Sequence, residues 1–261
     1  IRKYIFAIGL LLLTLSTSLA QVSINDWETH TSGMKVISVD VMHERIYAAT
    51  PYEVYYYNTN DNSINKLSKI NGLSDFGVSV LRHNKYNDKI FIGYTNTNID
   101  IIDNKGRITN ISDIKNKNIL GNKTINDVYF IDDLAYVCCG FGIVVVDMTR
   151  MEIRDTYIIG NNNTYINVND ITLYNNKLYA ATSRGVIFAD YDNPNLADHS
   201  QWQLDRSMIH DLVNYSEIET FNGRLIANYS ENKYNTDTMF VHDGTSWDYF
   251  LKDDNSIKRE I

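Results

Sequence analysis

The sequence predicts an all-β fold, a β-propeller of four-stranded antiparallel blades with about five complete blades present. The main reason is an internal repeat, because five similar apolar segments recur about every 45 residues, which is the period of a propeller blade. The composition agrees, since 44% of the 261 residues are hydrophobic and the chain has 19 tyrosines but only two prolines. Tyrosine favours strands, and the abundant asparagine favours tight turns.

A central strand marks each repeat. Its second residue falls at positions 47, 91, 136, 179 and 226, so successive repeats are 44, 45, 43 and 47 residues apart. Apolar and polar residues alternate with a period of two, which favours strands over the helices of a solenoid. The five predicted central strands are Ile46–Thr50, Ile90–Tyr94, Ala135–Cys139, Leu178–Thr182 and Leu225–Tyr229.

Three further strands accompany each central strand. First strands are expected at 36–42, 78–83, 125–131, 168–174 and 218–221, and third strands at 54–57, 99–103, 143–147, 186–190 and 239–243. Weaker fourth strands are expected at 64–67, 107–111, 153–158, 202–204 and 247–250. The turn after most first strands carries Asn or Asp, as in Asn175-Asn176, and these residues accept the left-handed backbone of a short hairpin.

Stacking of the repeats follows from their apolar faces. A single blade cannot cover both faces, so blades must pack side by side around an axis. Small residues in or beside the central strands fit the crowded region where blades converge; these are Ala48, Ala49, Gly93, Ala180 and Ala181.

The segment around Trp27 bears on ring closure. It resembles the segments around Trp202 and Trp247, which are fourth strands of their repeats. Trp27 precedes the first complete repeat. In many propellers an N-terminal strand in this position closes the ring by completing the last blade. The fifth repeat has its own fourth strand, so we expect the blade completed by Trp27 to lie beyond residue 261. The expected domain is a propeller over 21–261, incomplete at its C-terminus, within a ring of six to eight blades, seven being favoured.

Residues 1–20 are predicted to be a secretory signal peptide. Arg2 and Lys3 precede an almost wholly apolar run from Ile5 to Leu15, and small residues end the segment at Ala20, before Gln21. A membrane anchor or buried helix is the alternative, but the run is shorter than the roughly 20 residues that span a bilayer. We expect the protein to be exported.

The charge balance limits the possible partners. The chain has 32 acidic and 24 basic residues, a formal charge of −8, and loss of Arg2 and Lys3 with the signal peptide would leave about −10. Nucleic-acid binding is not expected, because it needs a basic surface and the chain has no basic block. An anionic glycan would likewise need a local basic pocket.

The cysteines and histidines form no predicted catalytic or metal-binding signature. Cys138 and Cys139 are neighbours on a predicted strand, so they point to opposite faces and a buried structural role is favoured. The six histidines include no His-x-x-x-His pair. The dipeptide His210-Asp211 is more typical of a surface loop than of a metal site or a catalytic pair.

Three loop motifs have a functional and a structural interpretation. The loop Asp190–Asn195 has alternating oxygens that could hold calcium, although an Asx/Pro turn is favoured. The segment Asp243–Trp247 resembles an Asp-box hairpin with the wrong spacing, and it predicts the turn between the third and fourth strands of the fifth repeat. Gly140–Gly142 predicts a tight turn. We therefore predict no catalytic, cofactor-binding or metal-binding residue and no cofactor, and the binding residues stay unknown.

Several segments resemble known propeller families. The motif Asn71-Gly72-Leu73-Ser74-Asp75, with the two strands that follow it, resembles the repeat of two-component-regulator propellers. Over about residues 27 to 250 the chain is more similar to the N-terminal propellers of the PorZ family, through structural motifs in the expected order. These are Leu67–Asp75, Ile92–Tyr94, Asn98–Ile102, Asn118–Gly121, Cys139–Val144 and Asp155–Gly160.

The PorZ resemblance implies a non-enzymatic role at the outer membrane, in the attachment complex of the bacterial type IX secretion system. Its partners would be the sortase and the cargo-carrier outer-membrane protein, with anionic lipopolysaccharide as a further ligand to be tested. The family continues into a second propeller and a β-sandwich, which this sequence does not include. The alternative is the periplasmic glycan-sensing propeller of a hybrid two-component regulator. A propeller glycosidase or lyase comes third, without positive support in the sequence.

Overall fold

The computed structural model describes residues 35–119, 121–229 and 238–250. The predicted signal peptide, Trp27 and His30 lie outside these residues. In the part of the chain that is described, no helix is long and apolar enough to cross a membrane.

The described residues form five four-stranded antiparallel sheets, each made of four consecutive strands, here called blades 1 to 5. Blade 1 contains β1 (Ser38–Met42), β2 (Arg45–Ala49), β3 (Val54–Asn58) and β4 (Ser63–Leu67). Blade 2 contains β5 (Val78–Asn84), β6 (Lys89–Tyr94), β7 (Ile99–Ile102) and β8 (Ile108–Ile111), and is followed by the short helix α1 (Asp113–Asn116).

Blades 3 to 5 repeat the same order. Blade 3 contains β9 (Ile125–Ile131), β10 (Leu134–Cys139), β11 (Gly142–Asp147) and β12 (Glu152–Tyr157), and a 3₁₀ turn follows at Asn161–Asn163. Blade 4 contains β13 (Val168–Tyr174), β14 (Lys177–Thr182), β15 (Gly185–Asp190) and β16 (Gln203–Leu204), with a 3₁₀ turn at His199–Gln201 before its last strand. Blade 5 contains β17 (Tyr215–Phe221), β18 (Arg224–Tyr229), β19 (Thr238–His242) and β20 (Trp247–Tyr249).

The predicted all-β class and blade architecture are confirmed, and each predicted strand is present. The largest difference is at β17, which begins at Tyr215 and not at residue 218. The register of β17 with β18 shifts between Tyr215 and Glu217, so Ser216 forms a bulge. A bulge breaks the period-two alternation on which the sequence prediction depends.

The turns between first and second strands have the predicted left-handed geometry. Positive φ angles occur in this turn at His43, Asp88, Asp132, Asn175 and Asn222. Most of these residues are Asn or Asp, whose short polar side chains tolerate this conformation.

The core lies between neighbouring blades. Four apolar clusters separate blade 1 from 2, 2 from 3, 3 from 4 and 4 from 5. Gly93 lies where blades 2 and 3 meet, and a β-carbon placed there would come within 2.8 Å of side-chain carbons of Val80 and Ile125. Ala49, Ala180 and Ala181 also lie in the cores between blades, as predicted, whereas Ala48 is half-buried and lies in none of the four clusters.

The first strands of neighbouring blades lie next to one another and are joined by side chains. Asp40 accepts the backbone N–H of His83 at 2.7 Å, which links blade 1 to blade 2. In the same way Asn169, at the bulge of β13, donates to the carbonyl oxygen of Tyr215 at 2.6 Å and links blade 4 to blade 5. A strand at the edge of a sheet has unpaired backbone groups, and these side chains satisfy some of them.

Strand direction defines two faces of the blade stack. Connections between the first and second strands and between the third and fourth strands lie at one end, which we call the hairpin face. Connections between the second and third strands and those that lead to the next blade lie at the other end, the connector face. This follows because neighbouring strands are antiparallel throughout.

The motif Asn71–Asp75 lies in the connection from blade 1 to blade 2 and acts structurally. Asn71 donates to the carbonyl oxygen of Lys66 at 2.7 Å and accepts from the Ser68 hydroxyl at 2.9 Å, which closes the turn. The backbone N–H of Ser74 donates to Asp100 of blade 2 at 2.8 Å. The motif thus fixes how one blade follows another.

Candidate functional site

An axial cavity of about 440 Å³ lies among the first strands of blades 2 to 5. Its charged lining includes Arg82, Asp127, Asp170 and Glu219, which come from β5, β9, β13 and β17. Arg82 pairs with Asp127 at 3.2 Å, which joins blades 2 and 3. The cavity therefore carries more negative than positive charge among these four residues.

Asp170 is the most constrained of the axial carboxylates. It accepts the backbone N–H groups of Ile171 at 2.8 Å and of Ile218 at 2.9 Å. Burial raises the pKa of Asp170 to about 7, and the negative charges of Asp127 and Glu219 act in the same direction, against the two backbone donors. Because both oxygens of Asp170 are engaged with backbone donors, this carboxylate serves strand alignment.

A second cavity, of about 820 Å³, lies at the periphery of blade 4, and we call it the blade-4 cavity. It is bounded by the connection from blade 3 to blade 4, by the last strand of blade 4 and by the connection to blade 5. Its lining includes Trp202, Asn161, Asn162, Arg184 and Arg206. The Trp202 indole donates to the carbonyl oxygen of Leu196 at 2.9 Å, so its ring is held in place.

The blade-4 cavity is basic. Among the described residues that line it there is no Asp or Glu, whereas Arg184 and Arg206 contribute two guanidinium groups. Arg206 pairs with Asp211, just outside the lining, at 2.7 Å, and the Arg184 side chain is exposed. Guanidinium groups bind carboxylate and phosphate through paired hydrogen bonds, and amides and an indole ring suit a sugar. Its chemistry thus fits an anionic glycan.

Cys138 and Cys139 lie in two different cores. Cys138 packs between blades 3 and 4, and Cys139 packs between blades 2 and 3. Both are fully buried free thiols, and burial raises the pKa of each above its usual value. This arrangement holds the thiols apart on opposite faces of β10 and makes them unreactive.

The histidines show one cluster that the sequence analysis missed. His43 and His83 contact different oxygens of the Asp88 carboxylate, which links the first hairpins of blades 1 and 2. His43 and His83 are 40 positions apart, so no local spacing could reveal the cluster. Among the described residues no group of three His, Cys, Asp or Glu side chains could hold a metal ion.

His210 lies at the surface, and the loop motifs form turns. His210 is exposed and packs on the rings of Tyr229 and Phe240. In the loop 190–195, Asp192 accepts from the Asn176 amide at 2.7 Å, and the backbone N–H of Asn195 donates to Asn193 at 2.9 Å. The second contact is an Asx turn, and the first ties the loop to the turn between β13 and β14.

The other two loop motifs are tight turns. Asp243 accepts the backbone N–H groups of Thr245 at 2.8 Å and Ser246 at 3.1 Å, between β19 and β20. Gly142 has φ +146°, and a β-carbon there would lie 2.3 Å from the carbonyl oxygen of Tyr157. Only glycine fits this approach, so the glycine pair serves the turn.

Comparisons with known structures agree with this fold. A PorZ structure, from an essential bacterial surface component of the type IX secretion system of Porphyromonas gingivalis, superposes with a TM-score of 0.69 and 21% identity. It aligns with 83% of this chain, which in turn spans 28% of that protein. No curated protein sequence matches the chain.

Two structures of the BT4673 extracellular domain from B. thetaiotaomicron are also similar. One is described as part of a one component system, with a TM-score of 0.58 and 12% identity, and covers 78% of this chain and 27% of that one. The other is described as part of a hybrid two component system, with a TM-score of 0.57 and 14% identity, and covers 74% and 25%. At such identities the likeness shows the fold alone.

The family is decided by a sequence model and not by these superpositions. The model of the PorZ N-terminal β-propeller domain, from the type IX secretion system, matches residues 46–203, which is more than half of the chain. The match covers blades 1 to 4 from β2 onward, where the repeat and the Asn71–Asp75 motif lie. The chain therefore belongs to the PorZ N-terminal β-propeller family of the type IX secretion system.

Proposed function

We propose that this chain is a non-enzymatic scaffold and recognition propeller of the type IX secretion system at the outer membrane. It would act with the attachment complex, and its protein partners would be the sortase and the cargo-carrier outer-membrane protein. Membership of the PorZ propeller family supports this role. The chain spans 28% of the length of the PorZ structure.

Export is part of the same proposal. The predicted signal peptide at 1–20 would deliver the propeller domain, proposed over 21–261, to the periplasm or the cell surface. The similar PorZ protein is described as a surface component, and the BT4673 domains are described as extracellular. Both descriptions support an extracytoplasmic location for this chain.

Two observations favour binding over catalysis. The two cysteines are buried and their pKa values are raised, so they are poor nucleophiles. The carboxylates of Asp40 and Asp170 accept backbone N–H groups of the next blade, so they serve the fold.

We propose the blade-4 cavity as the place where anionic lipopolysaccharide contacts the propeller. The single observation that carries this assignment is the pair Arg184 and Arg206 in a cavity whose described lining has no acidic residue. In a protein of formal charge −8, such a local excess of positive charge gives the anionic glycan a place to bind.

Binding of purified anionic lipopolysaccharide to the full-length protein tests the glycan assignment. Arg184→Glu should weaken binding by about tenfold or more, because it replaces attraction with repulsion. Lys105→Glu, an equal charge change at an exposed turn on the hairpin face, serves as the matched control. Equal binding by wild type and Arg184→Glu would exclude the cavity as the contact site.

Affinity purification from native outer membranes tests the scaffold role. The tagged full-length protein should recover the sortase or the cargo carrier, identified by mass spectrometry. Recovery of neither, from membranes that contain both proteins, would count against membership of the attachment complex.

The second candidate function is glycan sensing in a hybrid two-component regulator. The observation that favours it is the shared fold of the BT4673 domains. The gene sequence after residue 261 discriminates between the two. A transmembrane helix and a kinase domain would support the sensor, whereas a second propeller and a β-sandwich would support the secretion role.

A further inference from the structure

The two faces of the blade stack differ in charge. Among the described residues, the connections on the hairpin face carry nine acidic and four basic residues, whereas those on the connector face carry five acidic and six basic. The net charges are therefore −5 and +1. The described connections of the connector face are thus slightly basic, although the whole chain has a formal charge of −8.

Most of the acidic side chains on the described connections of the connector face are buried. Three of its five acidic residues, Glu53, Asp75 and Asp205, are buried, with 1%, 8% and 7% of their surface exposed. Each of the three pairs with a cation or accepts a hydrogen bond inside the fold. Lys69 and Lys115 pair with Asp75, and Arg206 pairs with Asp211. The cations of the described connector face that these pairs do not engage are Lys117, Lys123 and Arg184.

Large apolar side chains are exposed on the same face. They are 39% to 60% exposed and come from the connections of blade 1 and from those that enter blades 2, 4 and 5; they are Tyr52, Ile70, Phe76, Tyr165, Ile209 and Leu212. On the described connections of the hairpin face, only Tyr86 is a comparable exposed residue. Exposed aromatic and aliphatic side chains grouped with cations are typical of protein interfaces.

Part of this surface is one continuous patch. The carbonyl oxygen of Pro51 accepts the backbone N–H of Gly77 at 2.8 Å, which brings the Tyr52 turn against the Phe76 connection. The Lys69 ammonium lies 5.1 Å from the centre of the Phe76 ring. The patch therefore combines two aromatic anchors with a cation.

We propose that the connector face docks a folded protein whose surface has an apolar centre surrounded by acidic side chains. Charge complementarity selects such a partner, because an acidic rim would be attracted to this face and repelled by the hairpin face. The exposed aromatic residues would act as anchors at the centre of the interface. Docking here deepens the proposed scaffold function and rests on it only for the identity of the partner.

Photo-crosslinking in native cells tests the docking face in the full-length protein. Phe76→p-benzoylphenylalanine should form a covalent adduct with an acidic protein, whereas Tyr86→p-benzoylphenylalanine, on the hairpin face, should give only background. Adding Lys117→Glu should lower the yield at position 76 about fivefold, and Lys105→Glu on the hairpin face should leave it unchanged. Unchanged thermal unfolding temperatures would show that each variant is folded.

Several outcomes would overturn the docking face: no protein adduct at position 76, equal yields at positions 76 and 86, or adducts only with lipopolysaccharide or with a second copy of the chain. The proposed function fails separately. An adduct at position 76 with a protein outside the attachment complex would support the face and count against the secretion partners. An adduct with the sortase or the carrier only at position 86 would support the secretion partners and count against the connector face as the docking face.

Discussion

The carboxylate of Asp170 accepts the backbone N–H of Ile218 at 2.9 Å, across the boundary between blade 4 and blade 5. Ile218 lies on β17, which pairs with β18 on one side and has a free edge on the other. Unpaired N–H groups on such an edge must find other acceptors. Asp170 thus supplies an acceptor that the first strand of the next blade needs.

The stability of the protein should depend on the charge of Asp170. Its pKa is raised to about 7 in the folded protein, chiefly by burial. The folded chain then holds a proton that the unfolded chain has lost, so this contribution to stability falls as the pH rises from about 4 to about 7. Asp170→Asn should remove about 2 kcal/mol of that pH dependence, a figure that allows for solvent at the half-buried carboxylate.

Urea unfolding over this pH range measures the effect of Asp170→Asn. Asp132→Asn, an exposed acidic residue of the same cavity, should keep the wild-type pH dependence. If Asp170→Asn also keeps it, Asp170 is ionised in the folded protein and the assignment is wrong.

The contribution of Asp75 to stability should depend on pH in the opposite direction. Burial alone would raise the pKa of Asp75, but the donors Lys115 and Asn96 hold it well below its usual value. A lowered pKa adds stability to the folded protein above about pH 4. This added stability is lost as the pH falls towards the pKa of Asp75 in the folded protein. Asp75→Asn should therefore cost about 1.5 kcal/mol at neutral pH, since it removes the carboxylate that the partly exposed Lys115 ammonium contacts.

The difference between wild type and Asp75→Asn should shrink below about pH 4, where the wild-type carboxyl begins to lose its advantage. Chemical unfolding at neutral and acidic pH provides the comparison. Asp133→Asn, in a turn on the hairpin face, should stay within about 0.5 kcal/mol of wild type. An equally small effect of Asp75→Asn would show that the pairing contributes little.

Gly142 should tolerate no side chain. A β-carbon at this residue would lie 2.3 Å from the Tyr157 carbonyl oxygen, and backbone atoms on a neighbouring strand cannot easily move away. Gly142→Ala should cost about 3 kcal/mol or more, measured as a lower unfolding midpoint. Gly223→Ala is the matched control, because φ is +72° and no atom lies within 4 Å, so it should cost about 1 kcal/mol. An equal loss of stability in both variants would show that the positive φ angle, and not the contact with Tyr157, causes the destabilisation.

The thiols should react only after unfolding. Cys138 and Cys139 are 0% and 1% exposed, and burial raises both pKa values. The native protein should therefore resist alkylation by iodoacetamide at neutral pH, and both residues should be labelled in denaturant. Mass spectrometry gives the labelled fraction with time. Rapid labelling of native protein would show that blade 3 opens readily.

The strands could be predicted because each blade repeats the same local pattern. Alternation located β2, β6, β10, β14 and β18 closely, and Asn or Asp located the turns. The bulge at Ser216 was not predicted, since it interrupts the period of two. The pairing of His43 and His83 with Asp88 was not predicted either, because it depends on which hairpins become neighbours when blades stack.

The amino-acid order alone determined that the chain folds into strands and how many blades the described part holds. Those properties are local, since period-two alternation and turn residues act within about 45 residues. Tertiary structure decided which charged side chains meet. The carboxylates that cap the next blade and the surface of the connector face join residues from different repeats, and blade packing, which no local pattern encodes, sets their separation in space. Arg184 and Arg206 belong to one repeat but to different connections, and the fold of blade 4 brings both to one cavity.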